Sequence, residues 1–281
     1  MFIANSPSIL QEYFKQTIDS QKTIGFVPTM GALHKGHLSL VKSSKTTCDI
    51  TVVSIFVNPT QFNNSHDFEK YPNTITEDQQ LLKEEGVDVL FFPTKENMYP
   101  EASTLTFNFG FLETTMEGEF RPGHFNGVAT IVTKLFHIVN PTHAFFGQKD
   151  LQQVAVIQSL VQSLSFPLEL IVVPTSRDQN GLALSSRNLR LTKEQRQDAS
   201  LIYKILNSTI DHLPKQAANQ LLTESIATLS QQGFETEYLR LVEMNTLKET
   251  EYVSNKKLAL CIATNFHGVR LIDNLIIEPI C

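Results

Sequence analysis

The run ITVVSIFVN (Ile50–Asn58) restricts the fold more than any other stretch of this chain. It is apolar at six of its nine positions, rich in β-branched residues, and shows no alternation of polar and apolar. A strand with one wet face alternates; a continuous run of this kind must be covered on both faces, as in a parallel sheet flanked by helices. TIGFVPT (Thr23–Thr29), VDVLFFP (Val87–Pro93), HAFFGQ (His143–Gln148) and LELIVVP (Leu168–Pro174) have the same character. Helical patterns lie between them. HLSLVKSSKTTC follows the first run. TEDQQLLKEEG follows the second, with Thr76 and Gln79 at capping-box spacing and Gly86 as a stop. Val128, Ile131, Val132, Leu135, Ile138 and Val139 recur at helical spacing, and DLQQVAVIQSLVQSL precedes the last strand. Strands alternating with helices imply right-handed crossovers and a Rossmann-like, doubly wound parallel sheet over residues 1–174.

Beyond residue 174 the texture changes. TSRDQNGLALSSRN (Thr175–Asn188) reads as a polar connector. A long helix is expected to open at Thr192, and a second to end near Gly233. Strands are expected at EYLRLVE, KLALCIATNF and VRLIDNLIIE. Helices followed by several strands predict a smaller α+β C-terminal domain over residues 175–281. A chain of 281 residues accommodates one large and one small core.

Several function classes are disfavoured. The formal net charge of −6, without a Lys/Arg block, argues against tracking a nucleic-acid backbone. No apolar run reaches the roughly 18 residues of a membrane span. The N-terminus lacks a basic segment followed by an apolar one. Cys48, Cys261 and Cys281 are far apart and odd in number, which fits neither a disulfide framework nor a structural zinc site and suggests the reducing cytoplasm.

In open α/β sheets ligands bind outside the carboxyl ends of the strands. Those ends carry PTMGALHKGH, NPTQF and GQKDLQQ, and the connector adds SRDQNGLALSSRN. His34 and His37 could pair on a metal, but HxGH is not HExxH, and a third ligand and a water-activating carboxylate at defined spacing are absent. They could also be ordinary capping or surface histidines. A phosphate site suits the strand–loop–helix position best: Gly31 and Gly36 admit close backbone approach, the helix N-terminus favours an anion, and imidazoles can donate to a phosphate gaining charge. Lys149 in GQKD and the Ser185-Ser186-Arg187 turn add phosphate donors; a single lysine is usually a solvated surface residue, and the Ser-Ser-Arg turn alone reads equally well as a helix-approach turn with a surface arginine. Asp150 is available to nucleotide or magnesium. Gln61 and Gln153 offer both donors and acceptors for a ligand carrying hydroxyls and a carboxylate. His124 in RPGHFNGV contacts the site or orients its loop. His66, His137, His143, His212 and His267 show no partner pattern and are expected to be structural.

In order, PTMGALHKGH, SIFVNPTQF, RPGHFNGVATIV, FGQKDLQQ and GLALSSRN resemble the pantoate–β-alanine ligase (pantothenate synthetase) family over most of the chain. HxGH alone is shared across the wider nucleotidyltransferase superfamily; the ordered set is far more specific. The family more often has FGEKDYQQ where this chain has Gln148 and Leu151, and an aromatic commonly follows SSRN where this chain reads LRL.

The resemblance implies a two-step reaction: ATP and pantoate form a pantoyl adenylate with loss of pyrophosphate, and β-alanine then displaces AMP. It implies that ATP is bound by Met30, Gly31, Ala32, Leu33, His34, Lys35, Gly36 and His37. Gly147, Gln148, Lys149 and Asp150, and Ser176, Leu184, Ser185, Ser186 and Arg187, are implied to bind it too. His34, His37, Lys149 and Arg187 are the implied catalytic groups. Pantoate falls to Gln61, Gln153 and Met30, and β-alanine to Gln61, Asn58 and Tyr71. Magnesium arrives with ATP, with Asp150 as its candidate protein ligand, and no tightly bound organic cofactor is expected. The C-terminal domain is expected to close over the active site, and the assembly to be a homodimer. The family assigns proton donation to the second histidine, here His37; electrostatic stabilisation explains the same position without a proton transfer. A nucleotidyltransferase that stops at nucleotide transfer would need neither an amine acceptor nor two glutamines. A non-catalytic nucleotide-binding module would not need the full donor set.

Overall fold

The computed structural model describes residues 1–62, 68–69, 71–101 and 103–279. The chain divides into two compact units: Met1–Gln148 with Gln153–Pro174, and Lys149–Gln152 with Thr175–Cys281.

The first unit is built on a six-stranded, all-parallel sheet in the order β1-β4-β3-β2-β5-β6. The strands are β1 (Phe2–Ala4), β2 (Ile24–Thr29), β3 (Ile50–Ile55), β4 (Val89–Phe91), β5 (His143–Gly147) and β6 (Glu169–Val173). The missing alternation in β3 now has its reason. Val52 packs into one buried cluster with Phe26, Val89 and Ala144, whereas Val53 packs into another with Val27, Leu90 and Phe145. Successive side chains of a strand point to opposite faces, so both faces must be apolar. Helices α1 (Pro7–Thr17), α4 (His124–Val139) and α5 (Leu151–Ser163) line the first cluster; α2 (Lys35–Thr47) and α3 (Ile75–Glu84) line the second. Burying one Val, Leu or Phe side chain is worth roughly 1.5–3 kcal/mol, and the two layers together hold the sheet.

Two features of this unit depart from the sequence expectations. β1 and α1 were not anticipated: three residues are too few to show a period, and β1 is a strand only because Phe2–Ala4 pair with Val89–Phe91. The predicted capping box on Thr76 and Gln79 is corrected. Thr74 is the N-cap of α3, Thr76 lies inside the first turn, and no side chain caps the helix. Thr74 Oγ1 instead donates to Asp78 Oδ2 at 3.2 Å. Gly86 does end α3, in a left-handed conformation with φ of 68°.

The second unit has a three-stranded antiparallel sheet, β7 (Glu235–Glu243), β8 (Leu258–Phe266) and β9 (Val269–Ile277), with β8 central. Helices α6 (Leu201–His212) and α7 (Ala218–Gln231) share its core through Leu206, Leu221, Leu239 and Leu260. The expected long helix from Thr192 is two helices. Thr192 caps Lys193–Ala199 through a capping box with Gln195, and α6 starts after Ser200. Among the described residues no helix is long and apolar enough to cross a membrane. Cys48 and Cys261 are free thiols, and His66 and Cys281 lie outside the described residues.

Candidate active site

The direction of chain progression reverses beside β2. The chain runs from β2 to β3 and then β4 on one side, and enters β5 and β6 on the other. Such a switch point is where an open α/β sheet leaves a crevice for ligand at its carboxyl edge. The segments leaving β2 and β5 are the ones that carry HxGH and GQKD.

The loop after β2 takes a shape that few sequences permit. Gly31 and Ala32 both have positive φ, 82° and 50°. A β-carbon at Gly31 would sit 3.1 Å from Asp78 Oδ2 and 3.2 Å from Ile55 Cγ2, so any other residue would be both crowded and strained at this φ. Asp78 holds this turn in place. Its Oδ2 accepts from Ala32 N–H at 2.9 Å and its Oδ1 from Leu33 N–H at 2.7 Å. The side chain is nearly sealed from water, with Asp78 only 2% exposed. Nothing near Asp78 in sequence marks it, because its partners lie 45 and 46 residues away.

His34 and His37 then open α2. His34 is the N-cap, and its Nδ1 accepts from Gly36 N–H at 3.1 Å, while His37 Nδ1 accepts from His34 N–H at 3.3 Å. The rings lie 4.1 Å apart, centroid to centroid. A backbone N–H can only donate, so both Nδ1 atoms are unprotonated and each neutral ring carries its proton on Nε2. The same bonds occupy the Nδ1 positions that a metal would need. Two Nε2–H donors therefore stand at a helix N-terminus whose first turn contains no acidic residue, which suits a phosphate group. Met30 and Leu33 are half-buried on this loop, and Lys35 is exposed.

The loop after β3 is tied down by its backbone and by Asn58. Asn58 is 1% exposed; its Nδ2 donates to Gly127 O at 3.1 Å, and its Oδ1 accepts from Tyr99 Oη–H and Thr60 Oγ1–H. Those bonds make Asn58 a shaper of the loop. The Gln61 carbonyl accepts from His124 Nδ1–H at 3.0 Å and from Arg121 Nη2–H at 3.2 Å. Arg121 Nη1 also reaches His124 Nε2 at 3.2 Å. A carbonyl only accepts and a guanidinium only donates, so His124 is the Nδ1–H tautomer. Through that carbonyl it holds the Gln61 loop. The Gln61 side chain is buried, Tyr71 is half-buried with its ring 5.8 Å from that of Phe62, and Gln153 is half-buried on α5. His137 and His212 bond carbonyls one turn back in their own helices, His143 pairs with Glu169, and His267 packs on Phe266, all structural contacts.

Lys149 and Asp150 form a 3.4 Å ion pair just after Gly147 and Gln148, with Lys149 largely shielded and Asp150 more open. Among the described residues no cluster of three His, Cys, Asp or Glu side chains could hold a metal. Asp150 is thus a single carboxylate already facing a cation. The polar connector is not a loose linker. It folds back on itself, with Arg177 bridging Ala183, Leu184 N–H donating to Ser176 O, and Asp178 Oδ1 accepting from Asn180 and Leu182 N–H. Ser185 then caps a short 3₁₀ turn, Ser186–Arg190, by accepting from Arg187 N–H at 3.2 Å. Ser186 is buried and Arg187 half-buried.

The expected residues thus fall in both units, His34, His37 and Gln61 in the first and Lys149, Ser186 and Arg187 in the second. The pantoate-β-alanine ligase family profile matches residues 3–276. The chain belongs to the pantoate–β-alanine ligase family. A pantothenate synthetase of Cytophaga hutchinsonii is 48% identical over 263 residues, covering 91% of this chain and 92% of that protein. The crystal structure of the pantothenate synthetase of Thermus thermophilus aligns with a TM-score of 0.90 and 39% identity, covering 99% of this chain and 100% of that one. The ligase of Francisella tularensis, crystallised with β-γ ATP and β-alanine, aligns with a TM-score of 0.84 and 38% identity over 98% of this chain and 97% of its own. The fold and the order of motifs in this chain are those of the ligase family.

Asp78 is the member of this site that sequence reasoning missed, and it supplies a test. Burial raises its pKa most; the Leu33 and Ala32 N–H groups and the Thr74 hydroxyl lower it, and Glu77 raises it, for a net rise. The folded state therefore holds this proton more tightly than the unfolded chain, so the group's contribution to stability falls as pH rises from the unfolded carboxylate range through the folded value. Asp78→Asn should remove that acid-range slope. It should also cost about 1–3 kcal/mol at neutral pH, because an amide turns N–H groups toward backbone donors and leaves one unsatisfied. Urea unfolding from pH 4 to 8 checks both; an unchanged slope together with unchanged stability would contradict the clamp.

Proposed function

We propose that this chain condenses pantoate with β-alanine at the expense of ATP through an enzyme-bound pantoyl adenylate. Membership of the ligase family supports this, as does the Francisella relative's complex with β-γ ATP and β-alanine. The single observation in this chain that carries the reading is the paired-histidine cap of α2, which makes both Nε2 atoms N–H donors just past the end of the central strand β2.

In the first step a pantoate carboxylate oxygen attacks the α-phosphorus of ATP, and pyrophosphate leaves with the electrons of the bond to the β-phosphate. Negative charge grows on the departing oxygens, so the chain's task is positioning and charge stabilisation, with no covalent nucleophile required. His34, His37, Lys149, Ser186 and Arg187 act as the donors. Met30, Gly31, Ala32, Leu33 and Gly147 bring backbone close to the nucleotide, with Ser176, Leu184 and Ser185 on the folded connector. Gln61 and Gln153 hold the pantoate hydroxyls and carboxylate. In the second step the uncharged amine of β-alanine attacks the acyl carbon, AMP leaves, and the amide nitrogen loses a proton; Gln61 and Tyr71 orient the amine. Magnesium enters as part of the MgATP substrate, held mainly by the phosphates, with Asp150 beside it. The free thiols Cys48 and Cys261 suit a reducing cytoplasm, and the family resemblance supports a homodimer.

Isotope exchange tests the mechanism. With MgATP, pantoate and labelled pyrophosphate but no β-alanine, label should return to ATP only when pantoate is present. AMP should accumulate with turnover only after β-alanine is added. Folded enzyme that shows no pantoate-dependent exchange would exclude a reversible adenylate.

A further inference from the structure

Two consecutive residues of β9, Asp273 and Asn274, lie far in sequence from every motif of the reaction, yet each holds a segment that bears one of its cations. Asp273 is 4% exposed and forms a two-pronged ion pair with Arg177, in which Nη2 donates to Oδ1 at 2.8 Å and Nη1 donates to Oδ2. Arg177 also donates to Asn274 O at 3.2 Å and Gly181 O at 3.1 Å, and its guanidinium lies 4.3 Å from the Tyr203 ring centroid. These contacts lock the base of the folded connector, since Arg177 sits between Ser176, which bonds Leu184, and its own bridge to Ala183. Ser185, Ser186 and Arg187 follow at once. Asn274 turns its amide elsewhere: Nδ2 donates to Lys149 O at 2.9 Å. Its own N–H donates to Asp273 Oδ1 at 2.8 Å, coupling the two anchors. Burial raises the Asp273 pKa most, with Arg177 and, more weakly, the Lys149 charge opposing it, so the Lys149 ammonium lies within the field of the same carboxylate.

We propose that Asp273 and Asn274, with Arg177, are positioning residues that fix the Lys149 and Ser185–Arg187 segments relative to each other for the adenylation step. A buried, forked Arg–carboxylate pair has little freedom in angle, and arginine cannot shed its charge to escape the arrangement. Removing either partner leaves the other buried and unpaired, so the pair holds as a unit. Asn274 carries that rigidity to Lys149 through one hydrogen bond to its backbone, so the ammonium, which pairs with Asp150, is not itself the point of attachment. A displacement on the order of 1 Å in such groups costs about 10²-fold in rate.

This inference rests on the proposed role of Lys149 in ATP chemistry, and the test separates the two. Pantoate-dependent pyrophosphate exchange is measured on the full chain for the parent, Lys149→Ala, Asn274→Ala and the double variant, with KM for ATP and for pantoate recorded separately. Loss of exchange in Lys149→Ala tests the role of Lys149 on its own. Asn274→Ala is expected to lower exchange or raise KM for ATP by roughly 10-fold or more while KM for pantoate stays within about twofold, and to have almost no further effect once Lys149 is alanine. Asn274→Gln, which keeps an amide donor, should recover part of the loss. Arg177→Lys, which keeps the charge but not the fork, should show the same selective loss for ATP. Asp273→Asn is a poorer probe, because an unpaired buried arginine can prevent folding. Parental exchange in Asn274→Ala, additive losses in the double variant, or equal losses for ATP and pantoate would each overturn the proposal.

Discussion

Replacing His37 with asparagine should cut pantoate-dependent pyrophosphate exchange by roughly 10²–10³-fold, the usual cost of deleting a donor aimed at developing charge. The two imidazole nitrogens do different jobs, and substitution can separate them. His37 Nδ1 accepts from His34 N–H and helps cap α2, and that bond places the proton on Nε2. Asparagine keeps an acceptor near the Nδ1 position but has nothing at Nε2. Glutamine puts an amide N–H near Nε2 and gives up the cap, whose loss costs about 0.5–2 kcal/mol of stability. The expected order of exchange is parent, then His37→Gln, then His37→Asn, while the order of thermal stability puts His37→Asn above His37→Gln. If His37 transfers a proton in the rate-determining step, glutamine fails as completely as asparagine, and the donor assignment is wrong.

Gly127→Ala is expected to be the most damaging single methyl group in the first unit. Gly127 lies in the first turn of α4, where alanine would ordinarily improve helix propensity by about 1 kcal/mol. Here a β-carbon would overlap Thr60 O, lie 2.6 Å from Thr60 C and sit 3.1 Å from Gln61 N. These are backbone atoms, and they belong to a loop that Asn58, Arg121 and His124 already hold from other sides. The overlap cannot be relieved by rotating a side chain, so steric strain outweighs propensity. The variant should lose about 1–3 kcal/mol of stability, in the range of overpacked cores, and KM for pantoate should rise at least tenfold as Gln61 moves. Thermal melting and substrate titration read the two effects. A variant with parental values of both would mean that the helix and loop do not meet as described.

Much of the first unit could be read along the chain because its signals are local. β2, β3, β4, β5 and β6 announce themselves as short apolar runs, and helices α2 to α5 by period or by stop residues. The same holds for HxGH, GQKD and SSRN, which follow strand ends and so mark the edge where a ligand binds. Local reasoning failed where the deciding partner is distant. β1 exists through its pairing with β4, and Asp78 takes its role from N–H groups 45 and 46 residues away on the Gly31 loop. The connector reads as polar linker because its order comes from Arg177, whose carboxylate partner is 96 residues away. The bonds that tie Asn58 to Gly127 and Tyr99 are likewise invisible in NPTQF, because those partners lie 69 and 41 residues away.

By itself, the amino-acid sequence determined that this protein has a parallel α/β sheet with helices on both faces, a smaller α+β portion after residue 174, and an ordered set of motifs that resembles the pantoate–β-alanine ligase family. Periodicity, strand-end loops and residue types are properties of short segments, and they survive without knowledge of what packs against what. Only the tertiary structure decided that β2 stands between β3 and β5, that both histidines of HxGH carry their protons on Nε2, and that Asp78, His124, Asp273 and Asn274 hold the segments that carry these motifs. The reason is physical: a tautomer or a buried carboxylate takes its role from the hydrogen-bond partners around it, and folding brings those partners from tens of residues away.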